Sequence, residues 1–122
     1  MADKSVPVYK VCSIAAWEAA AATGSLAMGG VDERDGFVHM STAEELQKTL
    51  DLYYGGATAI VILVCDIAKM EAAGGEVKFE WAESRQADFP HLFNIPLPVS
   101  AVTRTVPIAT SADGKHSYDL SA

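Results

Sequence analysis

The chain has 122 residues, a formal net charge of −7 and a composition that is 50% hydrophobic. A chain of this length forms one domain, with enough apolar residues for a core that needs neither disulfides nor metal. Its nine Lys and Arg residues are scattered singly through an acidic sequence, which disfavours binding to nucleic acids and to membrane surfaces.

The N-terminal sequence and the cysteines predict a cytoplasmic protein. The first ten residues contain no apolar run typical of a signal peptide. The most hydrophobic stretch, residues 57–65, is too short to cross a bilayer. Cys12 and Cys65 lie in apolar, strand-like runs without a C-x-x-C motif, so we expect both to be reduced core residues.

The first predicted elements are a strand and a helix. Alternating β-formers over residues 6–12 indicate the strand. Ser13 can then cap an alanine-rich helix over residues 14–23, which Gly24 ends. Residues 24–35 are rich in glycine and then in charge, a composition typical of a loop.

A second strand and helix follow. Residues 36–40 predict a short strand, after which Ser41 or Thr42 caps a helix. Thr42 and Glu45 have the spacing of a capping box, in which each side chain satisfies a backbone N–H group of the other residue. The pair Gly55-Gly56 ends this helix.

The second half predicts strands with little helix. Residues 58–66 are apolar on both faces of the predicted strand, so this strand is central and covered on both sides. Weaker patterns predict short helical turns and extended segments at residues 67–75, 77–83, 88–98, 99–102 and 103–110. Residues 111–122 are polar and form a loose tail beyond a core of about residues 6–110. Six short strands and two main helices in one domain, residues 1–122, are typical of an α+β fold.

The stretch of residues 36–42, GFVHMST, places a histidine and a serine in an apolar run. Because side chains alternate along a strand, His39 and Ser41 share one face while Val38 and Met40 take the other. The polar face leads into a helix start, where free N–H groups and the helix dipole favour a phosphate or carboxylate. The alternative is a purely structural pair, a helix cap and a buried histidine.

A second histidine lies in FPHLF, where His91 stands between Phe89 and Phe93. We predict that His91 and His39 converge on one pocket, although His91 can equally be a core or edge histidine. Glu80 alternates with aromatic residues on a predicted strand. If its face points into a cleft, Glu80 can bind a ribose hydroxyl or act as a base; otherwise it lies on a solvated edge.

Three further residues complete the candidate site. Ser41 and Thr42 supply hydroxyls beside the helix start, and Lys10 contributes from the rim, where we expect it to be solvent-exposed. Metal ligation is not predicted, because the sequence lacks H-x-x-x-H, H-E-x-x-H and Cys/His clusters. A serine–histidine nucleophile lacks an oriented acid and the G-x-S-x-G motif.

Five blocks of the sequence resemble, in the same order, the small bacterial family called domain of unknown function 952. They are VYKVCSIAAWEAA, DGFVHMSTAEEL, IVILVCDI, VKFE and FPHLFNIPLPVSAV, and they span residues 8 to about 108. The resemblance implies an ADP-ribosyltransferase-like fold, a split antiparallel β-core that binds NAD in a cleft. The HMS step is also similar to the H-V-H-L-S strand of RNA 2′-phosphotransferases. In this comparison His39 and Ser41 match the second histidine and the serine of that strand. Phe37 stands in place of the first histidine.

These observations predict a cleft lined by His39, Ser41 and His91, with Glu80 and Lys10 at its rim. We expect it to bind a nucleotide-like or phosphorylated small molecule. As an enzyme, the protein would transfer or cleave at a ribose, with Glu80 stabilising positive charge at the sugar carbon. The main alternative is a non-catalytic ligand-binding or protein-interaction domain, and the third is a metal-assisted hydrolase.

Overall fold

Antiparallel sheets and four α-helices make up residues 3–121, the part of the chain that the computed structural model describes. The helices are α1 (Ile14–Thr23), α2 (Val31–Asp35), α3 (Ala43–Tyr53) and α4 (Ile67–Ala72). The strands are β1 (Val8–Ser13), β2 (Val38–His39), β3 (Ile60–Cys65), β4 (Glu76–Ala82), β5 (Ala87–Phe93), β6 (Val102–Pro107), β7 (Ala109–Thr110) and β8 (His116–Ser117). None of the helices within residues 3–121 has the length and apolar character needed to cross a bilayer.

The central sheet has the strand order β1-β3-β6, and β3 pairs antiparallel with both neighbours. All six residues of β3 are buried. Alternate residues enter two separate hydrophobic clusters: Val61, Leu63 and Cys65 join one, and Ile60, Ile62 and Val64 join the other. The prediction of a central strand covered on both faces is therefore confirmed.

The second sheet has the strand order β2-β5-β4, also antiparallel. One of its faces packs into the first hydrophobic cluster through Val38, Leu92 and Val77. Val38 pairs with Leu92, so the next pair in register is His39 with His91. Because side chains alternate, both imidazoles leave the sheet on the face opposite the core.

Helix α1 begins and ends as its sequence predicts. The Ser13 hydroxyl accepts a hydrogen bond from the Ala16 N–H group at 3.0 Å. Gly24 has a φ of 97°, a left-handed conformation that glycine adopts without steric strain. Both signals act within one turn of the chain, so no tertiary contact is needed to read them.

Helix α3 begins at the predicted position, but the predicted capping box is wrong. Thr42 is the residue before the helix, and among residues 3–121 its side chain makes no capping hydrogen bond. Glu45 does not reach back to Thr42, because its carboxylate accepts a hydrogen bond from Arg85 instead. A long-range ion pair has replaced the local contact.

Helix α2 lies where the sequence predicts only a loop. It spans five residues between Gly30 and Gly36, whose φ angles of 57° and 83° are both left-handed. A helix this short shows no apolar periodicity. It is held instead by Asp32, which is buried and contacts Lys10 and His39.

The predicted loose tail is a docked segment. Strand β8 pairs with β7, and the buried His116 donates a hydrogen bond from Nε2 to the Ala57 carbonyl at 2.9 Å. Tyr118 and Leu120 pack against the second hydrophobic cluster. The polar composition of the segment hides these two apolar contacts and the buried imidazole.

Candidate functional site

A cleft of about 620 Å³ opens beside the second sheet. Its wall comes from β1, α2, β2, α3, β5 and the turn between β4 and β5. Six elements that are distant along the chain therefore contribute to one cavity. The volume lies within the range of small-molecule sites, roughly 300–1,000 Å³.

The two predicted histidines meet in this cleft. The ring centroids of His39 and His91 are 5.1 Å apart, with an angle of 66° between the ring planes. Phe37 packs against both rings, at 4.5 Å and 4.4 Å between centroids. The pairing of β2 with β5 sets this arrangement, because it places the two residues directly opposite each other.

His39 is held by two carboxylates. Its Nδ1 lies 2.8 Å from Asp32 Oδ1, and its Nε2 lies 3.0 Å from Asp35 Oδ2. The backbone N–H group of His39 also donates to Asp32 Oδ1. A ring protonated at both nitrogens presents an N–H group to each carboxylate. His39 can therefore reach a ligand through its ring nitrogens only if Asp35 moves away.

Lys10 lies inside the cleft, and the prediction that it is solvent-exposed is wrong. Its side chain is 14% exposed, and its Nζ donates to Asp32 Oδ2 at 2.6 Å and to the His39 carbonyl at 3.0 Å. Burial alone would raise the pKa of Asp32. The Lys10 ammonium and the hydrogen bonds from Lys10 and His39 outweigh burial and hold that pKa below its ordinary value.

His91 is oriented by Glu80 of the neighbouring strand β4. The Nδ1 of His91 lies 2.7 Å from Glu80 Oε1. Glu80 has a half-exposed side chain and is not among the described residues that line the cavity. In the tautomer whose Nδ1–H group donates a hydrogen bond to the carboxylate, Nε2 is left as an acceptor. Glu80 thus contacts the site through its hydrogen bond to His91.

Ser41 lines the cleft, but Thr42 does not. The Ser41 hydroxyl lies 3.3 Å from the Thr49 hydroxyl, and its backbone exchanges two 2.8 Å hydrogen bonds with Tyr9. Helix α3 meets the cavity at Thr49 and Tyr53, beyond its first turn. The first turn of α3 is therefore not among the described segments that line the cleft, and the anion site at its start stays a prediction.

Sequence reasoning missed Arg85, which lies in the turn between β4 and β5 and lines the cleft. Its Nη2 donates to the Glu45 carbonyl, to Glu45 Oε1 and to the Thr49 hydroxyl at 3.1–3.2 Å. The guanidinium lies over the Phe89 ring, 4.6 Å from its centroid. A single arginine in a polar turn is typical of solvated surface, so the local sequence carries no signal of burial.

The Nε of Arg85 is buried and has no hydrogen-bond partner among residues 3–121. The side chain as a whole is only 7% exposed. A buried donor without an acceptor costs about 1–3 kcal/mol. This N–H group is thus an unsatisfied polar atom in a residue that lines the cleft.

The cleft has a positive wall in an acidic protein. The charged side chains that line it are Lys10, Arg34 and Arg85 against one carboxylate, Asp32. The carboxylates of Asp35 and Glu45 pair with the two arginines and are not among the described residues that line the cavity. Aromatic rings form the other part of the wall, from Tyr9, Tyr53, Tyr54 and Phe89. A net positive lining with aromatic surface favours an anionic ligand that carries a flat ring.

Neither metal ligation nor a thiol nucleophile is indicated by the described residues. Within residues 3–121 no group of three or more His, Cys, Asp and Glu side chains has a metal-binding arrangement. Burial raises the pKa of Cys12 to about 11 and that of Cys65 to about 12. Both thiols are free and stay protonated near neutral pH.

A protein family matches most of this chain. The family described as Protein of unknown function (DUF952) matches residues 11–105. The chain belongs to this family. The blocks around His39 and His91 that carried the resemblance in sequence therefore lie within the matched region of this DUF952 protein.

Solved structures of one bacterial protein are similar to this DUF952 protein. The crystal structure of protein CC0527 from Caulobacter crescentus is 36% identical, with 92% of this chain and 94% of that chain covered and a TM-score of 0.81. The solution structure of CC0527 is also 36% identical, covers 88% and 89% of the two chains and has a TM-score of 0.73. No curated protein matches this chain significantly. These findings support the α+β domain with antiparallel sheets. They do not show an ADP-ribosyltransferase-like fold.

Proposed function

We propose that this protein binds a phosphorylated, nucleotide-like small molecule in the cleft. The observation that carries the proposal is the lining of the cleft, where Lys10, Arg34 and Arg85 stand with one carboxylate, Asp32, in a chain of net charge −7. Such a lining attracts a small anion that can compete with the carboxylates paired to the two arginines, while the acidic exterior repels polyanions. The DUF952 family description names no ligand, so the proposal depends on this wall.

The aromatic wall supports a ligand with a flat ring. Phe89 is already covered by the Arg85 guanidinium, whereas Tyr53 is 65% exposed. An exposed tyrosine at a cavity wall offers a ring face on which a nucleobase can stack. The phosphate would then lie deeper, near Arg85 and His91, with the Ser41 and Thr49 hydroxyls in reach as further donors.

Ribosyl transfer is the second candidate function. His91 supports it, because His91 lines the cleft and its Nδ1 contact with Glu80 leaves Nε2 as the base. The split into two three-stranded antiparallel sheets is also compatible with the ADP-ribosyltransferase-like fold that the resemblance implies. Against it, Glu80 is bonded to His91 and does not line the cleft, so it is poorly placed to stabilise charge at a sugar carbon.

The test of binding is a thermal-shift comparison of matched ligand pairs. AMP and ribose 5-phosphate should raise the Tm, whereas adenosine and ribose should have little effect. A ligand that binds only the folded state stabilises by about 2.7 kcal/mol at 100 times its Kd. Equal shifts with AMP and adenosine, or none with either, would contradict the proposal.

Three variants locate the binding. His39→Ala and His91→Ala should each reduce the shift that AMP causes, measured against the Tm of the same variant without ligand. His116→Ala is the matched control, since it removes a buried imidazole outside the cleft. Incubation with NAD followed by product analysis then separates the two functions: cleavage of NAD supports ribosyl transfer, and binding without turnover supports a binding module.

A further inference from the structure

Arg85 differs from the other cations of the cleft wall in how well it is paired. Lys10 reaches its carboxylate partner at 2.6 Å, and Arg34 reaches Asp35 at 2.9 Å. Arg85 meets Glu45 at 3.2 Å through one carboxylate oxygen and one guanidinium nitrogen. Charge-assisted N–H···O contacts are usually shorter, about 2.7–2.9 Å. Arg85 therefore has the longest ion pair of the three cations in the wall.

The buried donor of Arg85 lies in the same side chain. Only two side-chain polar atoms in residues 3–121 are buried without a partner, Arg85 Nε and His116 Nδ1. His116 lies in the C-terminal β7–β8 ribbon and is not among the described residues that line the cavity. Of these two atoms, only Arg85 Nε belongs to a residue that lines the cleft, and it is part of a guanidinium.

We propose that Arg85 is the residue that binds an oxyanion of the ligand, a phosphate or a carboxylate, on its Nε–H edge. The inference rests on the proposed function for the identity of the whole ligand, but the oxyanion contact can be tested alone. Binding requires Glu45 to swing away, and its carboxylate is replaced by the anion. Phe89 stays beneath the guanidinium and keeps its plane in position.

Glu45 is suited to such an exchange. Its side chain is 24% exposed, so solvent can receive it when it leaves Arg85. It lies in the first turn of α3, where the helix dipole continues to stabilise a carboxylate that has lost its cationic partner. Because the Arg85–Glu45 contact is long and single-oxygen, a bidentate phosphate competes with it favourably.

The competing explanation is structural, since Arg85 also ties the β4–β5 turn to α3. That tie runs through Nη2, which donates to the Glu45 carbonyl and to the Thr49 hydroxyl. Neither bond uses Nε. A purely structural role predicts that changes at Glu45 alter stability and leave anion affinity unchanged, which a binding measurement can decide.

The experiment is a titration of the arginine Nε–H signals by NMR. The chain has three arginines, Arg34, Arg85 and Arg104, so a ¹⁵N-labelled sample gives three such signals. Arg85→Lys removes one signal and thereby assigns it. Inorganic phosphate is the first probe and acetate the second, which separates a phosphate site from a carboxylate site. We expect the Arg85 signal to move saturably with at least one anion, while the Arg104 signal does not.

A charge-matched pair of variants tests the exchange of Glu45. Glu45→Gln should lower the midpoint of the anion titration by about twofold to fivefold, the range that loss of one partly exposed ion-pair competitor gives. Glu44→Gln makes the same charge change on an exposed neighbour in α3 and should leave the midpoint near that of the parent. Equal midpoints for the two variants would overturn the exchange.

The outcomes separate this inference from the proposed function. An Arg85 signal that neither anion moves would overturn the inference, whatever AMP does. A saturable Arg85 shift in a protein that AMP stabilises no better than inorganic phosphate supports the inference and removes the nucleotide-like ligand. A parent-like AMP shift in Arg85→Lys would remove the inference and leave the proposed function standing.

Discussion

The two three-stranded sheets use the same antiparallel pairing for different purposes. In the central sheet, β3 buries both faces, and its alternate residues enter two hydrophobic clusters. In the second sheet, β5 buries Leu92 in the core, while Phe89 and His91 on its other face line the cleft. A polar side chain in β3 would have to enter hydrocarbon, whereas β5 can carry an imidazole without loss of core.

The cleft wall beside the second sheet has a different requirement, which is that its buried charges are paired. Lys10, Asp32 and His39 satisfy this condition as a group. The central sheet is therefore sensitive to lost volume, and the cleft wall is sensitive to lost charge pairing. Substitutions in the two regions can test this difference.

The largest effect is expected in the central sheet. Leu63→Ala should lower the free energy of unfolding by about 4 kcal/mol, because Leu63 is fully buried and its loss leaves a cavity. Urea unfolding measures this value. Leu52→Ala is the control, since Leu52 is 53% exposed and its truncation should cost less than about 0.5 kcal/mol. Similar losses at both positions would contradict a dry, close-packed β3.

The cleft wall should be destabilised by a substitution that removes a charge and keeps the side-chain volume nearly constant. Asp32→Asn should cost roughly 3 kcal/mol, because it leaves the Lys10 ammonium buried without its anion. Asp35→Asn should cost much less, since the side chains of Asp35 and its partner Arg34 are 30% and 70% exposed. Equal urea midpoints for the two variants would mean that Asp32 is not a buried anchor.

The pH dependence of stability should report the lowered pKa of Asp32. The pKa of Asp32 is lowered in the folded protein, so its contribution is fully present above the unfolded pKa of about 3.9 and is lost as the pH falls through the lower folded pKa. One proton accounts for at most about 1.4 kcal/mol per pH unit. Unfolding free energies between neutral pH and acid should therefore fall less steeply in Asp32→Asn than in the parent. Parallel curves would be evidence against the lowered pKa.

The smallest effect is expected at the helix starts, in a comparison of α1, which follows β1, with α3, which follows β2. Ser13→Ala should cost about 1 kcal/mol, because Ser13 caps α1 through its hydroxyl. Thr42→Ala should change stability by less than about 0.5 kcal/mol, because the described residues include no capping hydrogen bond from Thr42. A loss at Thr42 as large as that at Ser13 would show that the Thr42 hydroxyl caps α3 in solution.

Part of the site could be read before any coordinates. The alternation in GFVHMST separates His39 from the core residues Val38 and Met40, and both of these are buried. The apolar setting of His91 suggested a shared pocket, and the two rings lie in one cleft. The functional roles assigned to these residues, and to Glu80, Ser41 and Lys10, remain predictions.

The rest of the site has no local signature. Asp32 and Asp35 lie in a stretch that composition assigns to a loop, yet both reach His39 across α2. Arg85 stands in an ordinary polar turn, and its burial depends on α3, forty residues earlier in the chain. Such pairs are set by where distant segments meet, which no window of the sequence contains.

By itself, the sequence determined the elements whose signals lie within a few residues: β1, the Ser13-capped and Gly24-ended α1, the apolar β3 and membership of the DUF952 family. Only the tertiary structure decided which charges pair, that α2 is helical, that residues 109–117 dock as a ribbon and that Arg85 lines the cleft. The physical reason is the distance along the chain over which each kind of interaction acts. Capping, alternation and glycine conformations act over one turn, whereas ion pairs and buried donors depend on long-range packing that many sequences could satisfy.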